Sequence, residues 1–330
     1  MKTNYLLFLY FSLLIFLLIF LLIEIGKKWK QKIELYKKGS RVSVHSTFVL
    51  RDVIFFLENW IKYHKHIGVT KFYLYDNSQT GSRRNRVAGS DSEGENKYGI
   101  STGKLFPYSE KNKEELRRIC EKYPEITIVP WNPRGGDGKI IYAQHESVRD
   151  YNKKYADPNG WTAYIDIDEY ITSDSLSGEN FLKKILRRAL IDGCSKISIK
   201  QKKFEDLFCQ LEKPFISIDN CLELDFDLLA HKNIVLNTTF KNLSNIHEIS
   251  TKYGKQYIPE MSELRFNHYN LNKACGKWIE DFFKKQNIIS FKSKDNSLKA
   301  MESLNFSLPT HLLDKDFYQK HTGKNCLFQE

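Results

Sequence analysis

The chain has 330 residues, 41% of them hydrophobic and 14% aromatic, and a formal net charge of +11. That is enough apolar material for one large, well-buried α/β domain, and the basic balance favours anionic partners: a nucleotide, an anionic membrane or nucleic acid. No helix-turn-helix pattern, zinc-finger spacing or aromatic RNA-binding motif is present, which sets nucleic acid aside, and six scattered cysteines without a C-x-x-C pair argue against structural zinc or a disulfide framework and fit a reducing compartment.

Tyr5 to Ile23 is an apolar run of about the length that spans a bilayer, with Ser12 as its main interruption. A cleaved signal peptide has a shorter apolar core and ends on a small-x-small site. Here Glu24 follows, then Gly26-Lys27-Lys28-Trp29-Lys30-Gln31-Lys32, so the expectation is a single-pass membrane anchor over residues 1–25 and a basic juxtamembrane linker over 26–40. Lys27, Lys28, Lys30 and Lys32 outweigh Lys2 and the terminal amine, and the positive-inside rule then places the globular part, 41–330, on the cytoplasmic side. Glycosylation-type triplets at Asn237, Asn242 and Asn305 would suit a lumenal, Golgi- or ER-like placement, but an Asn-rich chain contains such triplets by chance.

Arg41 to Leu50 reads as the first strand. Val53, Phe56, Leu57, Trp60, Ile61, His64 and Ile67 then recur on one helical face, and Gly68 ends the helix. His64 lies on that apolar stripe and reads as a core histidine rather than a ligand. Lys71 to Tyr75 is a second strand, stopping on Asp76-Asn77; strand, helix and strand imply a parallel pair with a right-handed crossover. A polar stretch from Ser78 to about Ser101 reads as a long surface loop. Lys113 to Tyr123 is expected to be helical, Ile126 to Trp131 a strand, Ile140 to Tyr155 a helix and Trp161 to Ile165 a buried strand. Asn180 to Ile191 follows as a basic amphipathic helix, Ile197 to Lys200 and Asn233 to Leu236 as strands, and Asn272 to Gln286 as a helix.

The strand from Trp161 ends on Asp166-Ile167-Asp168. Two carboxylates one residue apart, at the carboxyl end of a strand, place hard oxygen ligands where open α/β sheets bind substrates. They suit Mg²⁺ or Mn²⁺ with a phosphate-bearing substrate completing the coordination. The same spacing recurs at Asp225-Phe226-Asp227 and Asp314-Lys315-Asp316; only the first pair follows an uncharged, aromatic-rich strand.

Three blocks carry a family resemblance. The first runs from Arg51-Asp52 through Phe55-Phe56-Leu57-Glu58-Asn59-Trp60-Ile61-Lys62-Tyr63-His64 to Ile67-Gly68-Val69 and Phe72-Tyr73-Leu74-Tyr75-Asp76-Asn77. The second is Gln144 to Asp150 and the third Trp161 to Ile171, with weaker echoes at Lys232-Asn233-Ile234-Val235, Ile246-His247-Glu248 and Asn267-His268-Tyr269. In that order they resemble the GT-A nucleotide-diphospho-sugar transferases, most of all glycosyltransferase family 92 and its family 2-like relatives; the strong part covers residues 45–175. Relatives usually carry Asn-Glu where this chain has Arg51-Asp52, and the insertion after Asn77 is longer than their pattern.

The resemblance implies an α/β fold of GT-A type, a mixed, mostly parallel sheet flanked by helices, with a nucleotide-sugar half (41–175) and an acceptor half (176–330). It implies a UDP-sugar donor held by Arg51, Asp52, Asp76, Asn77 and Asp166, with Asp76-Asn77 equally readable as a plain strand-to-turn stop. It implies Mn²⁺ or Mg²⁺ on Asp168, shared with Asp166, and a late histidine ligand, His247 or His268. Transfer of a hexose, galactose first among the candidates, to a glycan, glycolipid or glycoprotein hydroxyl would invert the anomeric centre with help from a carboxylate base, for which Glu205 and Asp206 are the candidates. A sugar-phosphate nucleotidyltransferase would need a glycine-rich loop after the first strand; Thr47 to Asp52 contains none, and Gly135-Gly136-Asp137-Gly138 falls after the third strand. A membrane-tethered, non-catalytic binding module is the remaining alternative, and the intact Asp166-Ile167-Asp168 speaks against it.

Overall fold

The structure is a computed structural model that describes residues 15–27, 30, 37, 39–80, 95–96, 99–100, 110–136, 138, 140–176, 178–205, 222–223 and 231–268. The elements are β1 (Val42–Phe48), α1 (Leu50–Ile67), β2 (Lys71–Asp76), β3 (Glu95–Asn96), β4 (Gly99–Ile100), α2 (Glu110–Lys122), β5 (Ile126–Pro130), α3 (Gln144–Lys154), β6 (Trp161–Tyr164) and β7 (Glu169–Thr172). They continue with α4 (Phe181–Ile191), β8 (Cys194–Glu205), β9 (Leu222–Glu223), β10 (His231–Leu236), β11 (Phe240–Asn245), β12 (Glu248–Thr251), β13 (Lys255–Tyr257) and β14 (Arg265–His268). The helix expected over Asn272 to Gln286 and the pairs at Asp225 and Asp314 lie outside the described residues. Residues 15–27 are helical with exposed apolar side chains. No helix among the described residues is long and apolar enough to cross a membrane, and residues 5–14 of the expected anchor lie outside them.

The main sheet runs β5-β2-β1-β6-β10-β8-β14-β7, with β9 and β13 also paired to β8. β5, β2, β1 and β6 are parallel. β10 is antiparallel to both β6 and β8, β14 is parallel to β8, and β7 is antiparallel to β14. The fold is therefore α/β, a mixed, largely parallel sheet flanked by helices. Four pairing steps separate β6 from β7, about 19 Å across a flat sheet at roughly 4.8 Å a step. The chain goes from Tyr164 to Glu169 through a tight turn, closed by Glu169 N–H donating to Asp166 O at 3.1 Å. A flat sheet cannot satisfy both, so the sheet curls around this turn. Antiparallel pairing sets the start of β10 beside the carboxyl end of β6, and the curl brings the end of β14 there.

β1 ends at Phe48, two residues earlier than the sequence suggests, and α1 begins at Leu50. The early start has a local cause. Val49 offers no capping side chain, and Ser78 Oγ, arriving from the end of β2, accepts the Leu50 N–H at 2.8 Å. Gly68 ends α1 with φ 118, a left-handed conformation that glycine adopts without strain. The apolar face of α1 packs on the sheet, with Val53, Leu57, Trp60 and Ile61 fully buried.

The same face covers β7, which pairs in the sheet through β14. Trp60 Nε1 donates to Glu169 O and Tyr63 OH donates to Ile171 O, each at 2.8 Å. His64 is completely buried, its Nδ1 donating to Trp60 O at 2.9 Å and its Nε2 accepting a long contact from Ile171 N–H at 3.5 Å. It is a core histidine, as its place on the stripe suggests, and burial pushes its pKa down to about 3.

Candidate active site

Asp166 and Asp168 sit on the turn between β6 and β7, at the carboxyl edge of the parallel strands. Asp168 is buried and Asp166 half-buried. Asp168 Oδ2 faces His268 Nε2, at the end of β14, 3.6 Å away. His268 Nδ1 donates to Gln201 Oε1 at 3.2 Å, which leaves Nε2 as the nitrogen turned toward the carboxylate. A histidine fixed through one nitrogen with the other directed at a carboxylate is the usual posture of a metal-ligating imidazole. The 3.6 Å spacing is a little wider than the roughly 3 Å between neighbouring ligands of an octahedral cation. These two residues could hold a divalent ion, with its remaining positions left to oxygens from outside the protein. Among the described residues no group of three or more His, Cys, Asp or Glu is arranged to hold a metal ion by itself.

Asp166 faces the other way. Its Oδ2 accepts from Lys232 Nζ at 2.9 Å and its Oδ1 from Gln144 Nε2, at the start of α3, at 2.9 Å. Lys232, one residue into β10, also meets Glu169 Oε2 at 3.1 Å, and that oxygen accepts the Asp166 N–H at 2.8 Å. Burial works against charge on Lys232, but Asp166 and Glu169 outweigh it and raise its pKa above that of an ordinary lysine. Burial pushes Glu169 up to about 7 against the pull of Lys232.

His247 lies in the turn between β11 and β12, exposed, with Nδ1 donating to His231 O at 2.8 Å and its own carbonyl accepting from Asn233 Nδ2 at 2.9 Å. Desolvation of its ring first, then the charge of Lys232, lowers its pKa. It stands beside β10, whereas His268 is the histidine that faces Asp168.

Asp76 and Asn77 are built into the end of β2. Asp76 Oδ1 accepts from Ser78 N–H at 2.9 Å and from the Ser78 hydroxyl, a turn stop that in turn places the Ser78 cap on α1. Asn77 is completely buried, and its amide donates to Trp131 O and, at 3.2 Å, to Ile141 O. That corrects the expectation of a nucleotide contact through its side chain: it ties β2 to the loops after β5, because a buried amide must spend its donors locally. Arg51 and Asp52 fall in the first turn of α1 rather than at the end of β1; their side chains, that of Glu205 at the end of β8, and all of Asp206 lie outside the described residues.

Neither a protein-family model nor a curated protein matches this chain. Sequence reasoning missed Lys232, Glu169 and Gln144 as members of the site. The available signals were a lysine just ahead of the otherwise uncharged strand Asn233 to Leu236 and a glutamate heading an otherwise uncharged strand directly after Asp168.

Proposed function

We propose that this chain is a metal-dependent glycosyltransferase of GT-A type, similar to family 92. It moves a hexose, galactose being the leading candidate, from a UDP-sugar to a glycan, glycolipid or glycoprotein hydroxyl with inversion, and its N-terminal segment tethers it to a membrane. The observation that carries the reading is the Asp166–Glu169 turn. It stands at the carboxyl edge of the parallel strands β5, β2, β1 and β6, with Asp168 facing Nε2 of His268 at 3.6 Å. Mn²⁺ or Mg²⁺ there would offset charge on the leaving diphosphate.

In this reading Asp168 and His268 hold the ion, and Asp166 is fixed close to the ribose and diphosphate. Asp52, in the first turn of α1, and Asp76, at the end of β2, would meet base and ribose, and Glu205 or Asp206 would take the proton from the acceptor hydroxyl. The absence of glycine between Phe48 and Leu50, where β1 passes straight into α1, supports a diphosphate donor over a triphosphate-cradling nucleotidyltransferase.

The test is a screen of nucleotide sugars for hydrolysis by the full chain with Mn²⁺, Mg²⁺ or chelator. Release of UDP from one UDP-sugar, abolished by chelator and by Asp168→Ala, is expected. Turnover that persists unchanged in Asp168→Ala, or no turnover of any nucleotide sugar, would remove the assignment.

A further inference from the structure

Lys232 divides the two aspartates, and the inference built on it rests on the reading of the site as a cation and diphosphate site. The Lys232 side chain is 3% exposed and its ammonium lies between Asp166 Oδ2 at 2.9 Å and Glu169 Oε2 at 3.1 Å. With Gln144 Nε2 on the other oxygen at 2.9 Å, both carboxylate oxygens of Asp166 are engaged by protein donors, one of them charged. Asp168 is turned to a different neighbour, the imidazole of His268. One carboxylate of the pair meets a fixed ammonium, and the other faces an imidazole nitrogen.

We propose that Lys232 is a positioning residue, a built-in cation that keeps Asp166 out of the inner shell of the divalent ion and leaves Asp168 and His268 as its protein ligands. The ion then binds firmly only together with the nucleotide diphosphate. A buried ammonium cannot be displaced from its carboxylates without leaving an uncompensated charge in the interior, which is strongly unfavourable. It also repels a divalent ion placed nearby. With two protein ligands the ion lacks most of its oxygen donors until phosphate supplies them, the arrangement hard cations commonly take with phosphorylated substrates. Free cation and free nucleotide would each bind weakly, and each would tighten the other by the same factor.

The experiment measures free Mn²⁺ by electron paramagnetic resonance over the full chain, with and without UDP. The wild type should bind Mn²⁺ alone weakly and about tenfold or more tightly with UDP, within the usual range of coupling between sites. Lys232→Met should tighten Mn²⁺ alone by about fivefold or more and shrink the effect of UDP, because Asp166 is released to the ion, while Lys232→Arg keeps the wild-type pattern. Asp166→Asn should change Mn²⁺ affinity less than about threefold, and Asp168→Asn should weaken it by about tenfold or more. Equal losses in the two asparagine variants overturn the positioning role, as does a folded Lys232→Met protein with unchanged or weaker Mn²⁺ binding. If Lys232→Met does not fold, the asparagine pair decides alone. A wild type that binds Mn²⁺ under neither condition overturns the glycosyltransferase reading as well, so the two failures are distinguishable.

Discussion

The flank of β7 covered by α1 and the carboxyl edge of the sheet lie on the same short strand, yet they handle buried polarity in opposite ways. On the flank, three polar side chains meet neutral backbone partners: Trp60 Nε1 on Glu169 O, Tyr63 OH on Ile171 O, His64 Nδ1 on Trp60 O. At the edge, charges answer one another: the buried Lys232 ammonium lies between Asp166 and Glu169. Neutral pairs of the first kind stabilise a fold and ask for nothing further. Charges gathered at a substrate-binding edge are costly to assemble, and concentrate where a ligand exploits them. The comparison predicts that substitutions on the flank change stability and leave ligand affinity alone, and that substitutions at the edge do the reverse.

The largest expected effect is on the flank. Trp60→Ala should cost about 3–5 kcal/mol of unfolding free energy in denaturant titration, since it opens a large cavity and strands Glu169 O. Next comes Asp168→Asn, which should lower metal-dependent UDP-sugar hydrolysis on the order of a hundredfold with little change in unfolding midpoint. A large loss of stability there would erase the contrast.

Acid supplies a third probe. Burial holds His45 and His64 neutral, each pushed down to about 3. The unfolded imidazole titrates near 6.5, so between about 6.5 and 3 the unfolded chain binds more protons than the native one, and stability falls as the pH drops through that window. Each histidine contributes a slope of at most about 1.4 kcal/mol per pH unit. His64→Gln should flatten the fall seen by denaturation between pH 7 and pH 5; an unchanged slope would mean that His64 is not held neutral. The smallest effect is Tyr63→Phe, which removes one buried hydrogen bond and should cost about 1 kcal/mol.

The same comparison explains what could be read from the sequence. α1 was legible because seven apolar or core residues from Val53 to Ile67 repeat at the helical period, and β6 because Trp161 to Ile165 is an uncharged, aromatic-rich run. The strand-ending aspartates stood out for the same reason. Lys232 did not, because its partner Asp166 is 66 residues away and the chain holds 51 lysines and arginines. Only the antiparallel pairing of β10 with β6 makes them neighbours, and long-range pairing is not a property of local pattern. Asn77 misled for a related reason: Asp-Asn after a strand has the same local form whether the amide faces a ligand or, as here, the carbonyls of Trp131 and Ile141.

The most direct measurement is a calorimetric titration of UDP into the full chain with Mn²⁺ and again with chelator. The account predicts binding that requires Mn²⁺ in the wild type and is lost in Asp168→Asn. Equal UDP affinity with and without the metal, or no binding of UDP in either case, would contradict it.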